Sequence, residues 1–242
     1  MNRVKVGFFS LSELSDPEGY LEWHQLDHMP EQYRIAGLVF GQRFVVTPAC
    51  RAASAVRVGD IGRSESLQLY LMEDPPRVLP EFYALGRELA GLGRLRTDIT
   101  AHVSAAFQLL GTYASPRALI SPEAVPYRPN RGVYVLVEQV TDPGGLDDWT
   151  TREHRERVPA VLDVAGVVGL WTFASTGAWG IPASDLRIAL FHVDEDPVAV
   201  AKALLPHLEQ RWDGAPVRPL LAAPFASLFP PPASWDHLGG AR

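Results

Sequence analysis

The chain has 242 residues, of which 47% are hydrophobic, 21% charged and 10% aromatic, proportions that build a globular core and exclude a disordered, collagenous or coiled-coil protein. Its 22 basic residues stand against 28 acidic ones and are scattered along the chain, so nothing forms the cationic stripe that a phosphate backbone requires, and nucleic acid is not an expected partner. The apolar stretches are too short or too interrupted to span a bilayer, the start lacks a secretory pattern, and Cys50 is the lone cysteine, so no disulfide and no membrane partner are expected and the protein reads as cytoplasmic.

The chain repeats itself, which organises the reading of its elements. Asp16-Pro17-Glu18-Gly19, Trp23 and Asp27-His28 recur 126 residues later as Asp142-Pro143-Gly144-Gly145, Trp149 and Glu153-His154. Past the histidines the offset becomes 129, pairing Pro30 with Pro159 and Ala36-Gly37-Leu38-Val39 with Ala165-Gly166-Val167-Val168. In chain order the first copy predicts a strand over 4–10, a helix over 17–34, strands over 38–46 and 67–72, a helix over 80–91 and a strand over 101–113. The second copy predicts the same series at 133–140, 143–162, 167–174, 186–193, 198–211 and 217–221. The Asp-Pro steps cap and open the first helices, and Pro116, Pro122, Pro126 and Pro129 interrupt any regular element between the copies. The fold class is α+β: two tandem ferredoxin-like βαββαβ units, residues 1–118 and 130–242 with a C-terminal tail, each with one bare sheet face that the other can cover.

The run Trp23-His24-Gln25-Leu26-Asp27-His28-Met29-Pro30-Glu31, followed by Ala36-Gly37-Leu38-Val39-Phe40-Gly41-Gln42-Arg43-Phe44, resembles the dimeric α+β barrel superfamily, and within it the EthD-like branch. The turn lacks the branch's usual proline, and the second copy is expected to carry Trp171 where the first has Arg43. The resemblance implies a barrel of two sheets inside one chain, with ligand clefts between each sheet and its helices. The superfamily hosts cyclases, cofactor-free monooxygenases, isomerases, dehydratases, lyases and haem-degrading enzymes, so the fold does not choose the reaction.

His28 and His154 occupy equivalent places in the two repeats and are the candidate general acid or base residues, because imidazole titrates nearest to neutral pH; a helix-end hydrogen bond is the competing role. On an ideal α-helix Trp23 and His28 lie about 140° apart, so either the helix loosens before Pro30 or one of the pair is structural. Trp23 shares a side with Leu26, Pro30 and Tyr33 and is expected in the core. His24 and His28 have the i, i+4 spacing of two ligands on one helix face, yet no third ligand sits at a recognisable spacing, so no metal is expected. Asp27 and Glu153 are expected to face solvent or a helix end. Arg43, at a strand end, could bind a carboxylate, and the loop 49–65 with Arg51, Arg57 and Arg63 is expected to be solvated.

These residues point to a cofactor-independent enzyme of dehydratase, cyclase, isomerase or lyase type acting on a hydrophobic or aromatic oxygenated substrate. His28 and His154 would move protons, with Trp23, His24, Tyr33 and Arg43 lining or orienting. Haem binding or breakdown, or ligand binding without catalysis, are the alternatives, and a homodimer is a compatible assembly. The first copy keeps the more polar residue set, so its cleft is the expected site.

Overall fold

The computed structural model describes residues 3–228; the tail assigned above to the second unit extends over residues 229–242, outside the described residues. The first half runs β1 (Val6–Leu14), α1 (Pro17–Trp23), a π-helical turn (His24–His28), α2 (Met29–Gln32) and β2 (Leu38–Val45). It continues through α3 (Pro48–Ala52), β3 (Val56–Arg57), β4 (Ser66–Met72), α4 (Pro75–Gly91) and β5 (Ile99–Ala114). The second half is β6 (Gly132–Val140), α5 (Leu146–Arg152), a second π-helical turn (Glu153–Arg157), α6 (Val158–Leu162), β7 (Val167–Ala174), β8 (Leu186–Val193), α7 (Pro197–Trp212) and β9 (Val217–Ser227).

Antiparallel pairing follows the order β2-β4-β1-β5-β7-β8-β6-β9, and β9 pairs back onto β2 through Phe44–Ser227 and Val45–Ala226. The sheet therefore closes into a barrel. Each half has the ferredoxin-like strand order, and the last strand of each half pairs with the second strand of the other. Strands bury alternate residues inside: Phe9, Leu11, Phe44, Leu69 and Phe107 from the first half meet Val135, Trp171, Phe173, Leu190 and Phe225 from the second. The opposite faces of the same strands lie under the helices, in two separate clusters around Tyr70 and Met72 and around Leu136 and Phe191.

Two expectations need correction here. The loop 49–65 is partly structured: Thr47 caps α3 by accepting from the Cys50 N–H, and β3 adds a ninth strand beside β9, pairing Val56 with Ala222. The second repeat's first helix begins at Leu146, not at Pro143, because Asp142 accepts from the Gly144 N–H and closes a turn there. In the first repeat Asp16 accepts from the Gly19 N–H and caps α1 at Pro17. The three extra residues thus precede the helix, so the 129 offset holds from the helix start onward.

Candidate functional site

Both first helices widen at the same place, one residue before a proline. The Met29 N–H bonds the His24 carbonyl and the Val158 N–H bonds the Glu153 carbonyl, each spanning five residues rather than four. A proline ring collides with the carbonyl four residues back in an α-helix, and a widened turn relieves that collision for Pro30 and Pro159. In the first repeat the extra residue changes the phase of the helix. Trp23 and His28, which an α-helix would separate, stack with ring centroids 4.9 Å apart and planes at 22°. His24 and His28 lie 5.5 Å apart. The expected side of Trp23 with Leu26 and Tyr33 does not form a core stripe: Leu26 is 62% and Tyr33 49% exposed.

The helix turn faces the outer side of the first half-sheet, and sheet register sets what it meets. Arg43 on β2 pairs with Gln68 on β4, Gln68 with Ser10 on β1, and Ser10 with Ser104 on β5, so four polar side chains form one row across the sheet. With α4 forming the far wall, these residues enclose a cleft of about 420 Å³, lined by His24 and His28 from the helix turn, by Gln32 from α2, by the polar row, and by the rings of Phe8, Tyr20, Tyr70, Phe82 and Tyr83. A ligand cleft of this size, largely apolar with a few convergent polar groups, suits a small molecule.

His24, Gln32, Arg43 and Gln68 are buried, Ser10 and His28 are half-buried, and Ser104 is exposed. His24 is buried, its Nε2 is 3.3 Å from the Tyr70 hydroxyl, and burial with nearby Arg43 holds its imidazole well below the usual histidine range. His28 is pushed down to about 4, first by burial and then by Arg43, while Glu31 acts in the other direction; the Gln32 side-chain amide donates to its Nε2 at 3.3 Å. Burial pushes the Tyr70 phenol up. At neutral pH the cleft therefore presents two uncharged imidazoles and a protonated phenol. Arg43, expected at an exposed strand end, is instead 1% exposed. Its Nη1 donates to Ser66 Oγ at 2.6 Å, its guanidinium lies over the Tyr20 ring at 5.0 Å, and its Nε has no partner. It makes no ion pair among the described residues.

The other sequence candidates fall elsewhere. Trp23 is half-buried: it packs against the Leu14, Tyr20 and Leu21 cluster, as expected of a core residue, and stacks on His28. Tyr33 lies outside the histidine cleft: its hydroxyl bridges the N–H and carbonyl of Gly41 at 3.0 Å each, and it lines a separate cavity with Met29 and Phe40. His154 is exposed, with its ring 5.6 Å from Tyr113. Because the offset is 129 along the helix, His24 corresponds to Glu153 and His28 to Arg157, so the repeated histidines are not structurally equivalent. The same offset places Thr172, not Trp171, opposite Arg43, and Trp171 fills the barrel interior.

The second cleft is closed. Its row across β7, β8, β6 and β9 reads Thr172, Ala189, Leu136, Ala222, with no charged member. Glu153, expected in solvent or at a helix end, is buried and accepts from Arg157 at 2.9 Å and from Arg211. Arg211 also donates to both oxygens of buried Glu138 at 2.9 and 2.8 Å and lies 4.4 Å from the Trp149 ring. About 20 Å³ remains there, room for roughly one water. The residues that sequence reasoning underrated are Tyr70, Gln68 and Gln32. Tyr70 and Gln68 share the strand face of Arg43, a period-2 signal present in Ser66–Met72, whereas the Gln32 contact depends on the widened turn.

No family model matches the chain, and no curated protein matches it. Solved structures do. An anthrone oxidase-like protein superposes with a TM-score of 0.50 at 15% identity, covering 92% of this chain and 91% of that one. The chlorite dismutase of Candidatus Nitrospira defluvii, solved with imidazole, superposes with a TM-score of 0.53 at 14% identity, again covering 92% and 91%. Likeness over nearly the whole of both chains shows a shared fold, the ferredoxin-like α+β barrel. No helix of the described residues is long and apolar enough to cross a membrane.

Proposed function

We propose that the chain is a cofactor-independent enzyme that moves a proton on a hydrophobic or aromatic oxygenated substrate held in the first cleft. The observation that carries this reading is the pairing of neutral imidazoles with a buried guanidinium in one aromatic-walled space. His28 Nε2 accepts a proton from a carbon or oxygen next to a carbonyl. Arg43 stabilises the oxyanion that results, where low dielectric strengthens its effect. His24 and Tyr70 form a second proton-holding pair facing the same space. His154 has no part in this machinery. The reading keeps the EthD-like affinity, two units at 1–118 and 130–242, a cytoplasmic setting and a homodimer as parts of one proposal. The likeness to an anthrone oxidase-like protein is compatible with a flat polycyclic substrate.

Haem, the alternative that the sequence leaves open, would have to use the same atom as the proposed base. An axial histidine needs a ring nitrogen facing open space. In the first cleft both Nδ1 atoms are buried and His24 Nε2 is on Tyr70, which leaves His28 Nε2, beside the Gln32 amide, as the ring nitrogen within reach. The second cleft has no room.

The test is hydrogen exchange at carbon. A panel of aromatic ketones with acidic C–H groups is incubated with the protein in D2O and followed by NMR. Wild type should exchange at least one member, and His28→Asn should slow that exchange by about 10²- to 10⁴-fold while leaving the fold intact. If no ketone shown to bind in the cleft exchanges faster than in buffer, the reading is wrong.

A further inference from the structure

On the catalytic reading of the first cleft, the residues around Arg43 also set the charge of its ligand. Arg43 is a fully buried cation whose Nε has no partner and which no carboxylate neutralises among the described residues. The fold treats its other deeply buried charges differently: Glu138 and Glu153 share Arg211, and Glu153 also holds Arg157. An unpaired buried charge is costly, and such a cost persists where a ligand meets it. A second group beside Arg43 is unsatisfied too: Gln68 is 2% exposed, its amide nitrogen donates to the Leu69 carbonyl, and its Oε1 has no partner. At the mouth, Arg87 on α4 is exposed and makes no ion pair among the described residues, so the approach is positive as well.

We propose that the cleft binds a flat aromatic or conjugated molecule as an anion. One negatively charged oxygen lies against the Arg43 guanidinium where it lines the cleft, an attached hydroxyl or N–H lies beside the Gln68 amide, and the ring system lies among Phe8, Tyr70 and Phe82. Carboxylate and phenolate oxygens share this chemistry.

The arrangement has a consequence for His28. The charged or titratable groups around it are Tyr20 on α1, His24 on its own turn, Glu31 on α2, Arg43 on β2, Tyr70 on β4, and Tyr83 and Arg87 on α4. Of these, Arg43 is the one that disfavours the imidazolium most, after burial itself. An anion on Arg43 cancels that repulsion, so the arriving ligand strengthens the base that will act on it. With the cleft empty or holding a neutral ligand, the His28 midpoint stays where it is until negative charge develops beside Arg43.

The experiment uses the intact chain with 2-naphthoate, its neutral isostere 2-naphthamide, and 4-nitrophenolate at pH 8.5. Binding is followed by calorimetry, and His28 is titrated by NMR in each naphthyl complex. At least one anion should bind, about 10- to 100-fold tighter than the amide. Arg43→Gln should remove that preference while sparing the amide. The His28 midpoint should rise with naphthoate and stay unchanged with the amide, a readout that needs no variant to fold. If the amide binds as tightly as the anions, or if the His28 midpoint ignores bound naphthoate, the anionic assignment is overturned while proton transfer by His28 stands. If nothing binds up to solubility, both readings fall together.

Discussion

Replacing Arg43 by Met should leave the protein as stable as before or more so, the reverse of what removing a buried arginine usually does. The variant loses the hydrogen bond to Ser66 Oγ, about 1.5–3 kcal/mol for a bond to a charged donor. It also loses the contact with the Tyr20 ring, on the order of 1–2 kcal/mol when desolvated. Against these stands the desolvation of a guanidinium that is 1% exposed and lacks a carboxylate, effectively several kcal/mol. Methionine fills most of the same volume and adapts its shape. The net expectation lies between no change and a gain of about 2 kcal/mol, or up to roughly 8 °C in Tm for a chain of this size. Urea denaturation of the ligand-free protein at pH 7.5 measures it, and the same variant should lose its preference for aromatic anions. His28 should titrate higher than about 4 but remain below an ordinary histidine, since burial is the larger cause and persists. A loss of more than about 3 kcal/mol would mean that Arg43 holds the fold together, and the argument for an anion site would lose its foundation.

Arg211→Met is the matched opposite: it strips buried Glu138 and Glu153 of their shared cation and should cost about 3–5 kcal/mol in urea midpoint terms. Acid should destabilise the protein well before carboxylates titrate. His28 at about 4 and His192 at about 3 stay neutral when folded, while the unfolded chain takes up protons from about pH 6.5 downward. Stability is therefore full above pH 6.5 and lost as pH falls, by upper limits of roughly 3 kcal/mol for His28 and 5 kcal/mol for His192 at about 1.4 kcal/mol per pH unit. Urea midpoints from pH 7 to 4 should show this slope, and His192→Phe should flatten it; an unchanged slope would remove His192 from the account. Gly41→Ala should weaken ligand binding more than stability, because its Cβ would fall 2.8 Å from the Tyr70 ring and push the phenol off His24. A Tyr70 ring that keeps its His24 contact in a structure of this variant would refute that.

The barrel is legible in the sequence because its signals are local and repeated. Alternation in Leu67–Met72 and Leu186–Val193 announces strands with two different faces, and the doubled Asp-Pro and Ala-Gly turns set their spacing. Pairing between the halves is not local, and nothing in Gly111–Ala114 says that it will lie against Gly169–Thr172. The strand Val56–Arg57 is hidden for a different reason: two residues amid Gly, Arg and Ala carry no period, and only the edge of β9 makes them a strand.

The site was legible as a set of residues but not as an arrangement. His24, His28 and Arg43 stand out by type, yet their shared cleft depends on a turn that one proline widens, and an ideal helical wheel puts Trp23 and His28 on different faces. The sequence even carries the cue twice, at Pro30 and Pro159, without indicating that the chain would answer by bulging rather than breaking. Alignment by motif misled in the second copy for a related reason: the Trp-His spacing is kept along the chain, but the helix there begins three residues later, so Trp149 takes the place of Tyr20 and Glu153 that of His24.

That displacement accounts for the asymmetry between the two halves. At the place of His24 the second half puts a carboxylate, which draws in Arg211 and Arg157, and the cleft closes on an internal ion pair. At the same place the first half puts a neutral imidazole, which cannot pair with Arg43, and the guanidinium lines the cleft without a counter-charge among the described residues. Each half sets an arginine against its first helix, half-buried Arg211 from α7 in one and buried Arg43 from β2 in the other. In one the counter-charge is part of the chain; in the other it has to arrive from solution, and the geometry that keeps it absent from the protein is what makes the first cleft selective for a ligand that brings it.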